Sequence, residues 1–268
     1  MFRLAAELFA RLLYTHSKET SYMRTANPAL GDKTFTSVPR AADARDVMTI
    51  EGTVHKTFIL VLLAVASAAF TWNMVSGANA LVGPLAIGGA IGGFIVAMVT
   101  IFKHQWAPFT APLYAVLEGL FLGAISAVFN QMYPGIVPQA VALTFGTLFC
   151  LLGAYRSGMI KATENFKLGI VAATGAICVI YLISMVLRLF GTTFPFIHEA
   201  GPIGIGFSMV VVVIAALNLV LDFDFIEEGA KQGAPRYMEW YGGFGLLVTL
   251  VWLYLEILRL LSKLNSRD

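Results

Sequence analysis

Charge is what this sequence has least of. Only 13% of its 268 residues are Asp, Glu, Lys or Arg, and they almost cancel, to a formal net charge of +2. No lysine and arginine block stands out, so a nucleic-acid partner has no electrostatic footprint and is set aside. Cysteine is as scarce: Cys150 and Cys178 lie far apart without CxxC spacing and read as buried free thiols inside apolar runs. His55, His104 and His198 lack the HExxH spacing of a zinc site. There is no GxGD motif of an intramembrane aspartyl protease, and Tyr155, Arg156, Ser157 and Gly158 do not make the GxSG of a serine protease. Neither an enzyme nor a bound cofactor is expected. Sequons of the form N-x-S/T are missing too, which gives no sign of a secretory route.

What is present is apolar. Hydrophobic residues make up 58% of the chain and mean hydropathy is +0.77, beyond the share of about 45–50% usual in soluble domains. A membrane-spanning helix needs roughly 20 mostly apolar residues. Seven such runs follow residue 56, near 57–77, 80–102, 108–132, 138–155, 166–190, 202–225 and 240–261. None alternates as a barrel strand does, and in hydrocarbon every backbone polar group needs an internal partner. The expectation is an all-α integral membrane protein, a seven-helix bundle over 56–268 whose first partner is the lipid bilayer.

Residues 1–55 read as an N-terminal tail. Its opening, MFRLAAELFARLLYTHSKETSY, is amphipathic, but Arg3, Glu7 and Arg11 break any signal-peptide core. Residues 1–22 are either a surface-lying helix or an upstream extension with Met23 as the start. From 24 to 56 the text is irregular and is expected to pack against nothing. Lysines and arginines fall on the side of the tail: Arg24, Lys33, Arg40, Arg45 and Lys56, then Lys103, Arg156, Lys161, Lys167, Lys231 and Arg236. That bias places the N terminus in the cytoplasm. Seven crossings then leave Arg259, Lys263 and Arg267 on the wrong side, which leaves open whether the last segment crosses completely. Small-xxx-small spacings in GGAIGG (Gly88 to Gly93) and at Gly119 and Gly123 predict close helix packing.

Three acids fall deep inside predicted spans: Glu118 in YAVLEGLFLG, Asp222 in NLVLDFDFIEE and Glu256 in WLYLEILRLL. A charge at a helix centre costs about 2.5–3.5 kcal/mol on insertion scales, so each should face a partner, water or a pathway. Asn218, one turn before Asp222, shares its stripe. Asp224 lies about 200° around from Asp222 and is expected at the interface. Arg259 stands three residues after Glu256, a spacing that permits a same-face pair.

If Asp222 and Glu256 meet, two carboxylates about 4 Å apart repel by roughly 4 kcal/mol at an effective dielectric near 20. The pair would then share one proton, and on losing it would separate and offer hard oxygens to a metal such as Ca²⁺. The depths argue against an easy meeting, since Glu256 lies about 24 Å along a straight helix from Trp240.

The segments YAVLEGLFLGAIS, LDFDFIEEG and LYLEILRLL, in that order, with MRTANPALG and MTIEGTVHKTF before the first span, resemble a bacterial branch of the Bax inhibitor-1 family over 23–264. The resemblance implies a bundle with the last helix central, in a bacterial inner membrane. It also implies a Ca²⁺ leak gated by protons through an acidic pair from the last two spans. Asp222 matches the first of these positions. Glu256 falls on the second, where the family usually has Asp. Lys103 is the nearest match to a basic residue that holds the acid, and Glu118 matches the third-span motif. Other members restrain membrane proteases, so the rival expectation is a regulatory protein that reads a protease partner through residues 24–56.

Overall fold

The computed structural model describes residues 46–77, 80–191 and 201–266. Among them run seven long helices: α1 (Ile50–Ser76), α2 (Val82–Phe102), α3 (Ala107–Met132), α4 (Ile136–Arg156), α5 (Glu164–Leu189), α6 (Pro202–Lys231) and α7 (Met238–Asn265). All seven are long and apolar enough to cross a membrane, and no strand occurs among the described residues. The all-α seven-span architecture is therefore observed. Residues 1–45, with the expectations about a surface helix, an extension or a partner-reading tail there, lie outside the described residues.

Two helix ends differ from the sequence expectation, each for a local reason. Helix α1 starts at Ile50 because Thr49 caps it: the Thr49 side chain accepts from the Gly52 N–H at 2.9 Å, so polar Glu51, His55 and Lys56 fall in the first turns of the helix. Helix α6 continues past 225 to Lys231, supported by a Glu227–Lys231 pair one turn apart. It stops where Gly233 takes φ 69°, a left-handed conformation that favours glycine. The last helix is one uninterrupted 28-residue element, long enough to cross completely.

The short segment before α1 also departs from expectation, because it is docked. The Met48 N–H donates to the Ala234 carbonyl at 2.7 Å, and the Arg236 N–H donates to the Asp46 carbonyl at 2.6 Å. Residues 46–49 thus pair with the α6–α7 turn instead of packing against nothing.

Helix α3 sits close to both α1 and α2 through glycine. A Cβ on Gly119 would stand 2.3 Å from the Ala64 carbonyl oxygen, one on Gly123 2.1 Å from that of Ala68, and one on Gly89 2.5 Å from that of Leu117. In the GGAIGG stretch Gly89 and Gly93 face α3, whereas Gly88 meets nothing within 4 Å. Without a hydrophobic drive between helices in lipid, such close backbone contact is the main source of adhesion.

Helix α7 packs against α1, α3, α4 and α6. In its most apolar stretch 61% of residues are buried, the largest such share among the seven spans, against 17% for α1, α2, α4 and α5. Tyr241, Phe244 and Leu253 from α7 join Leu60, Leu219 and Phe225 in the core. Cys150 and Cys178 are free, as expected, but exposed on the outer faces of α4 and α5. Only 17% of the most apolar stretch of either helix is buried, so a residue there commonly lies on the outer surface.

Gly119→Ala should force α1 and α3 apart and destabilise the detergent-solubilised protein by about 1–3 kcal/mol. Gly146→Ala, at a helical position with nothing within 4 Å, should leave the thermal midpoint unchanged or raise it. Equal midpoints for the two variants would contradict the packing.

Candidate functional site

The deep acids are answered in different ways. Glu256, with a side chain 2% exposed, accepts from the Tyr181 hydroxyl of α5 at 3.0 Å and from Arg259 Nη1 at 2.8 Å. Arg259 also donates to the Tyr181 oxygen at 2.8 Å and lies 5.2 Å from its ring centroid. The same-face pair predicted from spacing is present, and the tyrosine makes it a clamp between α5 and α7.

Asp222 is completely buried on α6, but it is not beside Glu256. The two last helices run antiparallel in a register fixed at both ends. Near the α6–α7 turn, the Phe225 and Tyr241 rings lie 6.4 Å apart, and Ile226 packs on Gly242. At the far end, Lys263 Nζ donates to the Gly204 carbonyl at 3.0 Å and to Ser208 Oγ at 2.8 Å. Asp222 is about one turn from the first contact and Glu256 about four, so their depths differ by roughly 15–18 Å. The proton-sharing pair is not formed in this conformation. Nor can the two carboxylates ligate one Ca²⁺, whose oxygens sit at about 2.3–2.6 Å. Among the described residues no group of three His, Cys, Asp or Glu converges on a metal site.

Asn218 shares the Asp222 stripe as expected. Its amide donates across to Thr174 Oγ1 of α5 at 2.9 Å and back to its own Ile214 carbonyl at 2.8 Å. Asp224 faces away and pairs with Lys167 of α5 at 2.7 Å. Close by, the Tyr155 hydroxyl of α4 donates to Glu227 at 2.6 Å. This polar cluster ties α4, α5 and α6 together at one end of the bundle. Lys103 does not serve as a counter-charge. It ends α2 as an exposed cap and forms no ion pair with an acid among the described residues.

Glu118 is different again. It is half-buried on α3 and lines a cavity of about 330 Å³ between α2, α3 and α7. Gly93 opposite has no side chain to fill the space, since a Cβ there would stand 3.0 Å from Glu118 Oε2. Among the described residues nothing hydrogen-bonds or ion-pairs with its carboxylate.

Sequence reasoning did not single out Glu239. It lies in the first turn of α7, with a side chain only 3% exposed. One carboxylate oxygen accepts from the Thr49 N–H at 3.0 Å and from the Thr49 hydroxyl at 2.8 Å, and the other is paired with Lys56. A Cβ on Gly52 would overlap this carboxylate at 2.1 Å. The stretch MTIEGTVHK therefore forms a cradle at the α1 N-terminus, where the helix dipole also favours an anion. The available signal was a capping threonine followed by glycine and lysine one helical turn apart, but its partner lies 190 residues away.

Glu239→Gln keeps the shape but strands Lys56, whose side chain is 16% exposed. A loss of about 3–5 kcal/mol is expected, as for breaking other buried pairs, with faster hydrogen exchange at the Met48 and Arg236 amides. Lys56→Met in the same chain should recover part of the loss. Unchanged exchange in the single variant would show that this pair does not hold the segment.

Comparisons agree with the geometry at the level of family. The chain matches the family model described as Bax inhibitor 1 like over residues 14–266. Comparison with curated proteins and with solved structures returned no match. The match takes in all seven spans, the cradle before α1 and every acid placed in a span above. The chain belongs to the Bax inhibitor 1 like family.

Proposed function

We propose that this protein is a proton-regulated cation leak in a bacterial plasma membrane, with Ca²⁺ the first ion to test and the N terminus in the cytoplasm. The observation that carries the reading is a fully buried Asp222 on a spanning helix, with Glu118 at a cavity on the same side of α7 as α2 and α3. A bundle that only had to fold would avoid the cost of such acids. Because Asp222 and Glu256 stand at different depths, the switch is assigned to Asp222 alone. Protonated, it is a neutral group that packs between helices. Ionised, it gains from hydration, which favours a state with α6 loosened and a path for water and cations. Glu256, held by Arg259 and Tyr181, anchors α5 to α7, and Glu118 supplies a polar wall.

A regulatory role has one observation in its favour. The segment entering α1 is bonded to the α6–α7 turn and to Glu239, so a partner such as a membrane protease that pulls on the tail would act directly on α7.

Purified protein in liposomes loaded with a calcium dye should release Ca²⁺ with a pH-dependent rate between about pH 5 and about pH 8. Asp222→Asn should flatten that dependence, Glu118→Gln should lower the rate, and Glu256→Gln should reduce stability while leaving the pH response in place. A wild-type pH response in Asp222→Asn would remove Asp222 as the sensor. No flux from any folded preparation would move the regulatory role ahead.

A further inference from the structure

The Glu118 cavity is poorly made for a calcium ion. Ca²⁺ takes about 6–8 oxygen ligands, whereas this wall offers one carboxylate and the Tyr114 hydroxyl amid carbon. Phe94, Phe121 and Phe244 supply three further rings, and Met98 a thioether. Tyr114 stands one helical turn before Glu118 on the same face of α3, and its ring packs edge-on to Phe244 at 5.0 Å. A negative group set among aromatic rings is the surrounding that organic ammonium ions prefer, through charge-assisted hydrogen bonding and cation–π attraction.

Size and access point the same way. The volume, about 330 Å³, lies at the lower end of the roughly 300–1,000 Å³ common for small-molecule sites. Phe94 is both a wall of the cavity and 65% exposed, on a stretch of α2 where Ile87, Ile91 and Ile95 are exposed as well. The cavity therefore reaches the lipid-facing surface. A ligand with an apolar body can enter from the bilayer, and its ammonium group can meet the carboxylate.

The geometry points to a binding site for a small lipophilic amine between α2, α3 and α7, with Glu118 pairing the ammonium and the aromatic wall holding the apolar body. This site does not depend on ion conduction, since it is read by binding alone.

The test uses full-length protein in lipid nanodiscs, with radiolabelled naphthylmethylamine, its neutral counterpart naphthylmethanol, and empty nanodiscs to subtract partitioning. The amine should bind saturably and at least about tenfold more tightly than the alcohol, the size of a hydrogen bond to a charged group. Glu118→Gln should weaken the amine by at least about tenfold and leave the alcohol nearly unchanged. Ala97→Phe, which fills the cavity but keeps the carboxylate, should weaken both, and it carries the test if Glu118→Gln fails to fold. Millimolar Ca²⁺ should not displace the amine. Four results would each overturn the site: no saturable binding above empty nanodiscs, equal affinity for alcohol and amine, wild-type affinity in a folded variant, or displacement by Ca²⁺.

Discussion

A carboxylate in hydrocarbon has to be answered from inside the protein, because neither water nor lipid will do it. That requirement organises this bundle. Glu256 is answered by Arg259 and Tyr181, Asp224 by Lys167, and Glu239 by Lys56 together with the Thr49 amide and hydroxyl. Each answer comes wholly or partly from another helix, so each fixes a pair of helices as well as neutralising a charge. The α5–α7, α5–α6 and α1–α7 contacts are all set in this way. Close glycine packing does the same for α1, α2 and α3, which no ion pair joins to one another among the described residues.

The register of α6 against α7 then decides which acids can cooperate. Two helices pinned by Phe225 on Tyr241 at one end and by Lys263 on Gly204 and Ser208 at the other cannot slide by several turns without losing both sets of contacts. A shift of about 15 Å is close to three helical turns, far larger than the one-turn ratchets known in switching proteins. The regulation proposed at Asp222 would therefore work through loosening or hydration of α6 in place. Asn218, one turn away and bonded to Thr174, lies on the same strip of α6 and would feel any such loosening first.

The spans themselves were legible because hydropathy and length act locally: all seven are present, although α1 begins at Ile50 rather than 57 and α6 runs on to Lys231 rather than 225. The Glu256–Arg259 pair was legible for the same reason, since three residues on a helix bring the two onto one face. Features that join distant parts of the chain were not. Glu239 was not singled out because its partners precede it by 183 and 190 residues. Lys167 was read only as one of the cations on the side of the tail, although its side chain is 7% exposed and satisfied by Asp224. Spacing within one helix says nothing about register against another, so the Asp222–Glu256 pairing needed coordinates to be tested.

Register also changes how the charges bear on orientation. Counted from sequence, Arg259 and Lys263 weigh against a cytoplasmic N terminus when the last segment crosses completely. Lys263, however, is buried, with its ammonium bonded to Gly204 and Ser208, and Arg259 is engaged by Glu256 and Tyr181. A cation committed to internal partners is part of the helix-packing interface and contributes little to the loop bias that governs insertion. With both discounted, Arg267 alone of the three still weighs against a fully crossing α7 with an inward-facing N terminus. The buried lysine then has a plain role, fixing the end of α7 to the start of α6 where no turn connects them.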